Sequence, residues 1–169
     1  MSLGLAYDPE SHRIDFRDIT VDSRALRVRA EAKAWLKGLD NGVPDALVGQ
    51  IAISDLKADP EGLFETPVAL TQGAIDVKLT LSPFRLQLGQ LSLMDGANRI
   101  SAKGDFRAEK EGWATALDFN VDAIESARLL ALWPVLMVPK TRDWLRQNVA
   151  TSELFNVAAG LRVTPGQEQ

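Results

Sequence analysis

The sequence of 169 residues contains no cysteine, and its only histidine is His12. The lack of cysteine excludes disulfides, thiolate nucleophiles and cysteine-ligated metals, and it is compatible with either an oxidising or a reducing compartment. His12 precedes the first predicted hairpin in a polar stretch without the hydroxyl and carboxylate pattern of a catalytic triad. We therefore interpret it as a solvated side chain rather than a catalytic base.

Concentrated charge and long apolar runs are also missing. The formal net charge is -4, and basic and acidic residues are interleaved, so no basic patch for nucleic acid is predicted. The longest apolar run, residues 129–138, includes a proline and is about half the length of a membrane-spanning helix. Residues 1–7 lack the basic and apolar regions of a signal peptide, and residues 1–3 are compatible with a vector origin.

The common chemical motifs are absent as well. Glycine loops for phosphate, zinc-binding histidine pairs and calcium loops have no matching spacing, so neither a metal nor a cofactor is expected. Several carboxylates, such as Asp15, Asp76 and Asp118, occupy the polar positions of predicted strands, where they favour solubility and discourage edge pairing. A glycosidase-like carboxylate pair has no signature here, and we expect a protein that is not an enzyme.

Alternation of apolar and polar residues fills most of the chain and predicts antiparallel strands. Residues 14–21 alternate with a change of phase at Arg17 and Asp18, and after a turn residues 26–34 alternate again. The same arrangement returns 72 residues later, with its phase change at Gly89 and Gln90. A third strand follows in each copy, at residues 49–56 and 117–124. The duplication predicts a meander built from two repeats, each with a bulged first strand.

Two short helices interrupt this pattern. Residues 125–133 are rich in alanine, leucine and arginine and stop at Pro134, and a second helix is predicted from Pro139 to about residue 148. Its spacing predicts an inward stripe of Val138, Thr141, Trp144, Leu145 and Val149. Three basic side chains are expected to face solvent, namely Lys140, Arg142 and Arg146.

The predicted organisation is mainly β, an antiparallel meander of repeated hairpins forming a curved, groove-like sheet with two short helices near the C-terminal side. Its parts are an N-terminal tail (1–12), a first repeat (13–72), a second repeat (73–124), a two-helix insert (125–149), a closing strand (150–164) and a tail (165–169).

Together, the repeated unit and the block at residues 127–134 and 138–146 resemble the AsmA-like family, and the block is similar to its YhdP branch. The similarity covers roughly residues 13–163. It implies a non-catalytic section of a larger envelope protein, on the periplasmic side of a Gram-negative inner membrane and anchored by a segment outside this chain. Such proteins carry phospholipid between the inner and outer membranes or serve outer-membrane biogenesis.

The resemblance implies that acyl chains slide along the apolar side of the curved sheet, with room left by small residues such as Ala30, Ala102 and Gly104. The predicted lining of this lipid groove is Leu26, Val28, Ala30, Ile51, Ile53, Ile75, Val77, Leu79, Ile100, Ala102, Phe106, Leu117 and Phe119. Periodicity alone favours a closed core covered by the two helices, with Trp133, Trp144 and Leu145 against the sheet, and it is the resemblance that makes the open groove an equal alternative.

Neighbouring repeats of a longer chain are the other predicted partners, and exposed strand edges predict self-association of the isolated chain. The alternative function is a structural module that docks envelope proteins by β-strand addition.

Overall fold

The computed structural model describes residues 2–39, 42–149 and 151–166. The elements in chain order are β1 (Ser2–Asp8), β2 (Arg13–Asp22), β3 (Leu26–Lys37), β4 (Ala46–Ala58), β5 (Val68–Leu70), β6 (Gln72–Thr80), β7 (Arg85–Asp95), β8 (Asn98–Glu109), β9 (Gly112–Glu125), α1 (Ser126–Leu132), α2 (Pro139–Asn148) and β10 (Glu153–Val163). Met1, Asp40, Asn41, Ala150 and residues 167–169 lie outside this description.

The strands form one open antiparallel sheet. Its order is β1-β2-β3-β4-β6-β7-β8-β9-β10, and the short β5 pairs with β4 beyond the end of β6. Each strand in this order therefore pairs with the strands before and after it in the chain. The one exception is that β4 pairs with β6 as well as with the short β5 between them. The predicted mainly β meander with two helices on the C-terminal side is confirmed.

The duplicated phase change is a pair of β-bulges at equivalent positions. The β2–β3 register shifts between Phe16 and Ile19, and the β7–β8 register shifts between Leu88 and Leu91. In the first bulge, Asp18 has a φ of 53°. A bulge inserts an extra residue into one strand, so the apolar side chains before and after it stay on the same face of the sheet.

The N-terminal region differs from the predicted tail. Strand β1 lies within residues 1–12 and pairs with β2, where Leu5 lies opposite Phe16 and Tyr7 lies opposite Ile14. The short alternation of Leu3, Leu5 and Tyr7 was the available signal for this strand.

The helices cap one end of the sheet and do not cover its apolar face. Strand β9 leads directly into α1, and the carbonyl of Ser152, just before β10, accepts a hydrogen bond from the amide of Ser126. Buried apolar side chains gather near this end, including Val68 and Leu70 of β5 and Val121 and Ile124 of β9. A core closed by the helices is therefore not what the chain forms.

The chain buries little surface for its size. Its accessible area is 11246 Å², whereas a compact monomer of this mass exposes about 8,200 Å². The difference follows from the architecture, because most of the sheet has no second layer packed on it.

Candidate functional site

One face of the sheet carries apolar side chains in rows that run from strand to strand. Row one contains Leu5, Phe16, Ala32, Ile51, Ile75, Leu91, Ala102, Phe119 and Ala159. Row two contains Tyr7, Ile14, Ala34, Gly49, Val77, Leu88, Gly104, Leu117 and Leu161. Both rows cross nine strands without a charged residue.

Two further rows flank these on the same face. Row three contains Ile19, Ala30, Ile53, Gly73, Leu93, Ile100, Val121 and Val157. Row four contains Leu36, Leu47, Leu79, Leu86, Phe106, Thr115 and Val163. The four rows together are called the apolar face below. Since neighbouring strands lie about 4.8 Å apart, rows one and two are about 38 Å long.

The structure brings all thirteen predicted lining residues onto this one face. Eleven of them belong to the four rows, and Val28 and Leu26 lie beyond row three, at the start of β3. Strand alternation and the positions of the bulges make this placement predictable from sequence. The tyrosine and leucine that β1 contributes to the rows were not predicted, because residues 1–12 were interpreted as a tail.

Most of the apolar face is half-buried. Among the rows, Ala102 is 4% exposed and Val121 is 7% exposed, while large side chains such as Ile51, Ile75 and Phe119 are only partly shielded by their neighbours. The face is therefore neither a sealed core nor a set of isolated exposed side chains. It offers a continuous apolar surface to a ligand.

The space beside some small residues of the apolar face is already filled by neighbouring side chains. A Cβ atom placed on Gly104 would lie 2.6 Å from Cδ2 of Leu117, and one placed on Gly73 would lie 2.6 Å from Cδ2 of Leu93. Larger side chains of adjacent strands already fill these places. The room predicted at Gly104 is therefore filled by Leu117, and Ala102, at 4% exposure, is covered by its neighbours, so a ligand would lie across the face.

The opposite face of the sheet is polar and holds three open depressions. The first, of 640 Å³, is lined mostly by polar-face residues such as Asp15, Glu31 and Lys33. The second, of 720 Å³, includes Arg99, Lys103, Asp118 and Asp122, and the third, of 330 Å³, lies nearer the β2–β3 turn. These concavities are on the side away from the predicted groove, so the apolar face acts as an open surface rather than an enclosed pocket.

A forked ion pair attaches the first helix to the sheet. Arg128 of α1 donates from Nε to Oδ2 of Asp95 at 2.6 Å and from a terminal nitrogen to Oδ1 at 2.8 Å, and it also reaches the carbonyl of Ala69 at 3.2 Å. The hydrogen bond with Asp95 raises the pKa of Arg128 above its ordinary value. One side chain thus links α1, the β7–β8 turn and β5.

The second helix is oriented differently from the prediction. Arg142 is buried at 4% exposure, pairs with Oε2 of Glu65 at 2.9 Å and donates to the carbonyl of Leu130 at 3.2 Å. Arg146 also binds Glu65. Trp144, which was expected to pack inward, is 58% exposed. The inward stripe is therefore Arg142 and Leu145, because an ion pair with a residue far away in the sequence fixes the rotation of the helix.

The single histidine lies beside a tyrosine of β1. Nδ1 of His12 lies 3.4 Å from the hydroxyl of Tyr7, and both side chains are exposed. Across residues 2–39, 42–149 and 151–166, no three His, Asp or Glu side chains come close enough to hold a metal ion. Neither described helix has the length and apolar content needed to cross a membrane.

Comparison of the chain with protein-family models, with curated proteins and with solved structures finds no match.

Proposed function

We propose that this chain is a non-catalytic section of an AsmA-like protein, and that its apolar face carries phospholipid acyl chains between the inner and outer membranes. In this proposal the chain lies on the periplasmic side of a Gram-negative inner membrane, within a longer anchored protein that serves outer-membrane biogenesis. The observation that supports it is the pair of uninterrupted apolar rows across nine strands. An ordinary soluble domain would cover such a surface with a second layer.

The physical chemistry of the face suits an acyl chain. Burial of a methylene group is non-directional and favourable by roughly 0.8 kcal/mol, so a chain can shift along the rows without breaking specific bonds. No residue needs to act on the lipid, and the charged head group can remain outside in water. The absence of a charged side chain from rows one and two keeps the path free of groups that would be costly to desolvate.

Single cysteines provide a test, because the chain has none of its own. Ile75 belongs to row one, whereas Ala74 precedes it on the polar face, between Ala52 and Ser92. Reaction of Ile75→Cys with a maleimide should become slower when the protein is incubated with phospholipid. Ala74→Cys should react at the same rate with and without phospholipid.

A second measurement uses the protein purified from a bacterial host. Native mass spectrometry with lipid extraction should detect phospholipid on the natural chain and on Ala74→Asp, and none on Ile75→Asp, whose folding is checked by circular dichroism. The proposal fails if phospholipid leaves the reactivity of Ile75→Cys unchanged, or if Ala74→Asp and Ile75→Asp retain lipid equally.

A second candidate function is docking of another strand at the free edge of β1. Leu3, Leu5 and Tyr7 are 51%, 63% and 50% exposed, and within the described residues no strand pairs with the outer side of β1. Unpaired edges accept a further strand through their backbone groups. This candidate predicts a partner that protects β1 amides from hydrogen exchange and leaves Ile75→Cys reactive.

A further inference from the structure

The loop between the helices and the adjoining helix α2 expose large apolar side chains. Leu136 is 83% exposed, Trp144 is 58% exposed and Val138 is 50% exposed. In α2 itself only Arg142 and Leu145 are shielded by the rest of the protein. Leu136 has the highest exposure among the large apolar residues of the part of the chain that the structure describes. These exposed apolar side chains fall within one stretch of nine residues, which makes this part of the surface a candidate contact site.

This loop is held in one conformation. Trp133 donates from Nε1 to the carbonyl of Met137 at 2.6 Å, and the amide of Met137 donates to the carbonyl of Pro134 at 3.0 Å. Val138 has a φ of 45°, which is strained for a β-branched side chain. The carbonyl of Val138 accepts bonds from the amides of Thr141 and Arg142. Exposure of Leu136 and Val138 is thus built into the fold at a conformational cost.

The charge around this loop is opposite to that of the whole chain. Residues 136–148 contain the basic side chains Lys140, Arg142 and Arg146 and the acidic Asp143, and Glu65 binds both arginines, so this region carries +1. The complete chain carries -4. Lys140 lies one helical turn before Trp144, so the two share a side of α2. A cation beside an exposed tryptophan suits the boundary between water and lipid.

We infer that Leu136, Val138, Lys140 and Trp144 dock this end of the sheet on a lipid bilayer with anionic head groups. Leu136 and Val138 enter the acyl boundary, the indole of Trp144 lies at head-group depth, and Lys140 approaches phosphate oxygens. Local positive charge on an acidic protein is the reason to choose an anionic membrane over a protein partner. This inference goes beyond the carriage of lipid on the apolar face, and it concerns different residues.

Vesicle flotation tests the inference with the complete chain. The natural protein should float with vesicles of phosphatidylcholine and phosphatidylglycerol and should float much less with phosphatidylcholine alone. Leu136→Asp should lower the partition coefficient at least about tenfold, and Lys140→Gln should lower it about fivefold. Val43→Asp is the matched control, because Val43 is 65% exposed and receives the same charge, and its partition should stay unchanged.

Tryptophan fluorescence gives an independent reading. Vesicles should shift the tryptophan emission of the natural protein to shorter wavelength, because Trp144 enters the head-group region. In Trp144→Phe this shift should be smaller. Absence of flotation with anionic vesicles, or equal losses in Leu136→Asp and Val43→Asp, would overturn the inference. So would a dimer in solution that Leu136→Asp dissociates, because the surface would then bind a second copy. Ile75→Asp should still float, so failure of lipid carriage and failure of docking are distinguishable.

Discussion

At the scale of single residues, Arg142 shows how a side chain far from the apolar face organises the helical cap. Its guanidinium is buried between Glu65 and the carbonyl of Leu130, while its Nε has no hydrogen-bond partner in the described structure. A buried cation of this kind depends on its anion, since loss of one partner leaves an uncompensated charge. Glu65 therefore fastens the β4–β5 connection to α2.

The bond with Arg142 makes stability at this site depend on pH. This hydrogen bond, helped by the charges of Arg142 and Arg146 and opposed by desolvation, lowers the pKa of Glu65 below its ordinary value. A lowered carboxyl pKa adds stability that is fully present above the ordinary pKa and disappears as pH falls through the lowered one. Glu65→Gln should thus lower the melting temperature at neutral pH and have little effect at acid pH below the lowered pKa.

Thermal unfolding followed by circular dichroism at the two pH values measures this difference. Glu61→Gln is the control, because Glu61 is exposed and belongs to the same connection. An equal loss for Glu65→Gln at neutral and acid pH would contradict an ionic role for Glu65.

At the scale of elements, sequence periodicity was a good guide to strands and a poor guide to helix rotation. Strands β2 to β4 and β6 to β10 follow alternation, and α2 begins at the predicted proline and ends at the predicted residue. Strand β5 was missed because three residues are too few for alternation to show. The predicted rotation of α2 was wrong because two sides of the helix, one with Trp144 and one with Arg142, could each have faced the protein. The ion pair between Arg142 and Glu65 determines which side does, and the helix sequence does not reveal it.

The two edge strands differ in how well they resist pairing. Strand β10 contains Glu153 and Arg162 and is kinked at Asn156, which has a φ of 51°. Strand β1 has no lysine, arginine or proline, and its one charged residue is Asp8 at the end. Charges and bulges are the usual protection of an edge, so β1 is the more open of the two.

Self-association should therefore occur through β1. Strands β1 and β10 are the first and ninth of an antiparallel path and run in the same direction, so a β10–β1 contact between copies that keep their apolar faces on one side would be parallel. Two β1 strands can instead pair antiparallel about a twofold axis, which stops at a dimer. Leu5→Lys should raise the dissociation constant of this dimer about tenfold.

Sedimentation equilibrium over a range of concentrations measures that constant. Phe155→Lys is the control, because Phe155 on β10 is 65% exposed and Leu5 is 63% exposed. A natural chain that stays monomeric at the highest concentration, or a dimer weakened only by Phe155→Lys, would contradict pairing through β1.

At the scale of the whole molecule, the apolar face could be predicted from the sequence, whereas the position of the two helices at one end of the sheet could not. The face follows from alternation, and the thirteen residues predicted to line it lie on it, whereas the residues that β1, β2, β7 and β10 contribute were not among those predicted. Its openness was not predictable, because the same alternation would arise in a sheet covered by another layer. What leaves it uncovered is the position of the helices, which the Arg128 fork and the Arg142 pair hold at the end of the sheet.

The large exposed area of the folded chain has a thermodynamic consequence. An unfolded chain of this mass exposes about 26,800 Å², so folding hides about 58% of that surface, compared with about 69% for an ordinary domain of this size. Heat capacity and denaturant sensitivity both scale with the surface that unfolding uncovers. Calorimetry and urea titration should therefore give a heat-capacity increment and an m-value about a sixth below those of compact proteins of equal length. Bound phospholipid should raise both towards the ordinary values, because unfolding then also uncovers the apolar face that the lipid had covered.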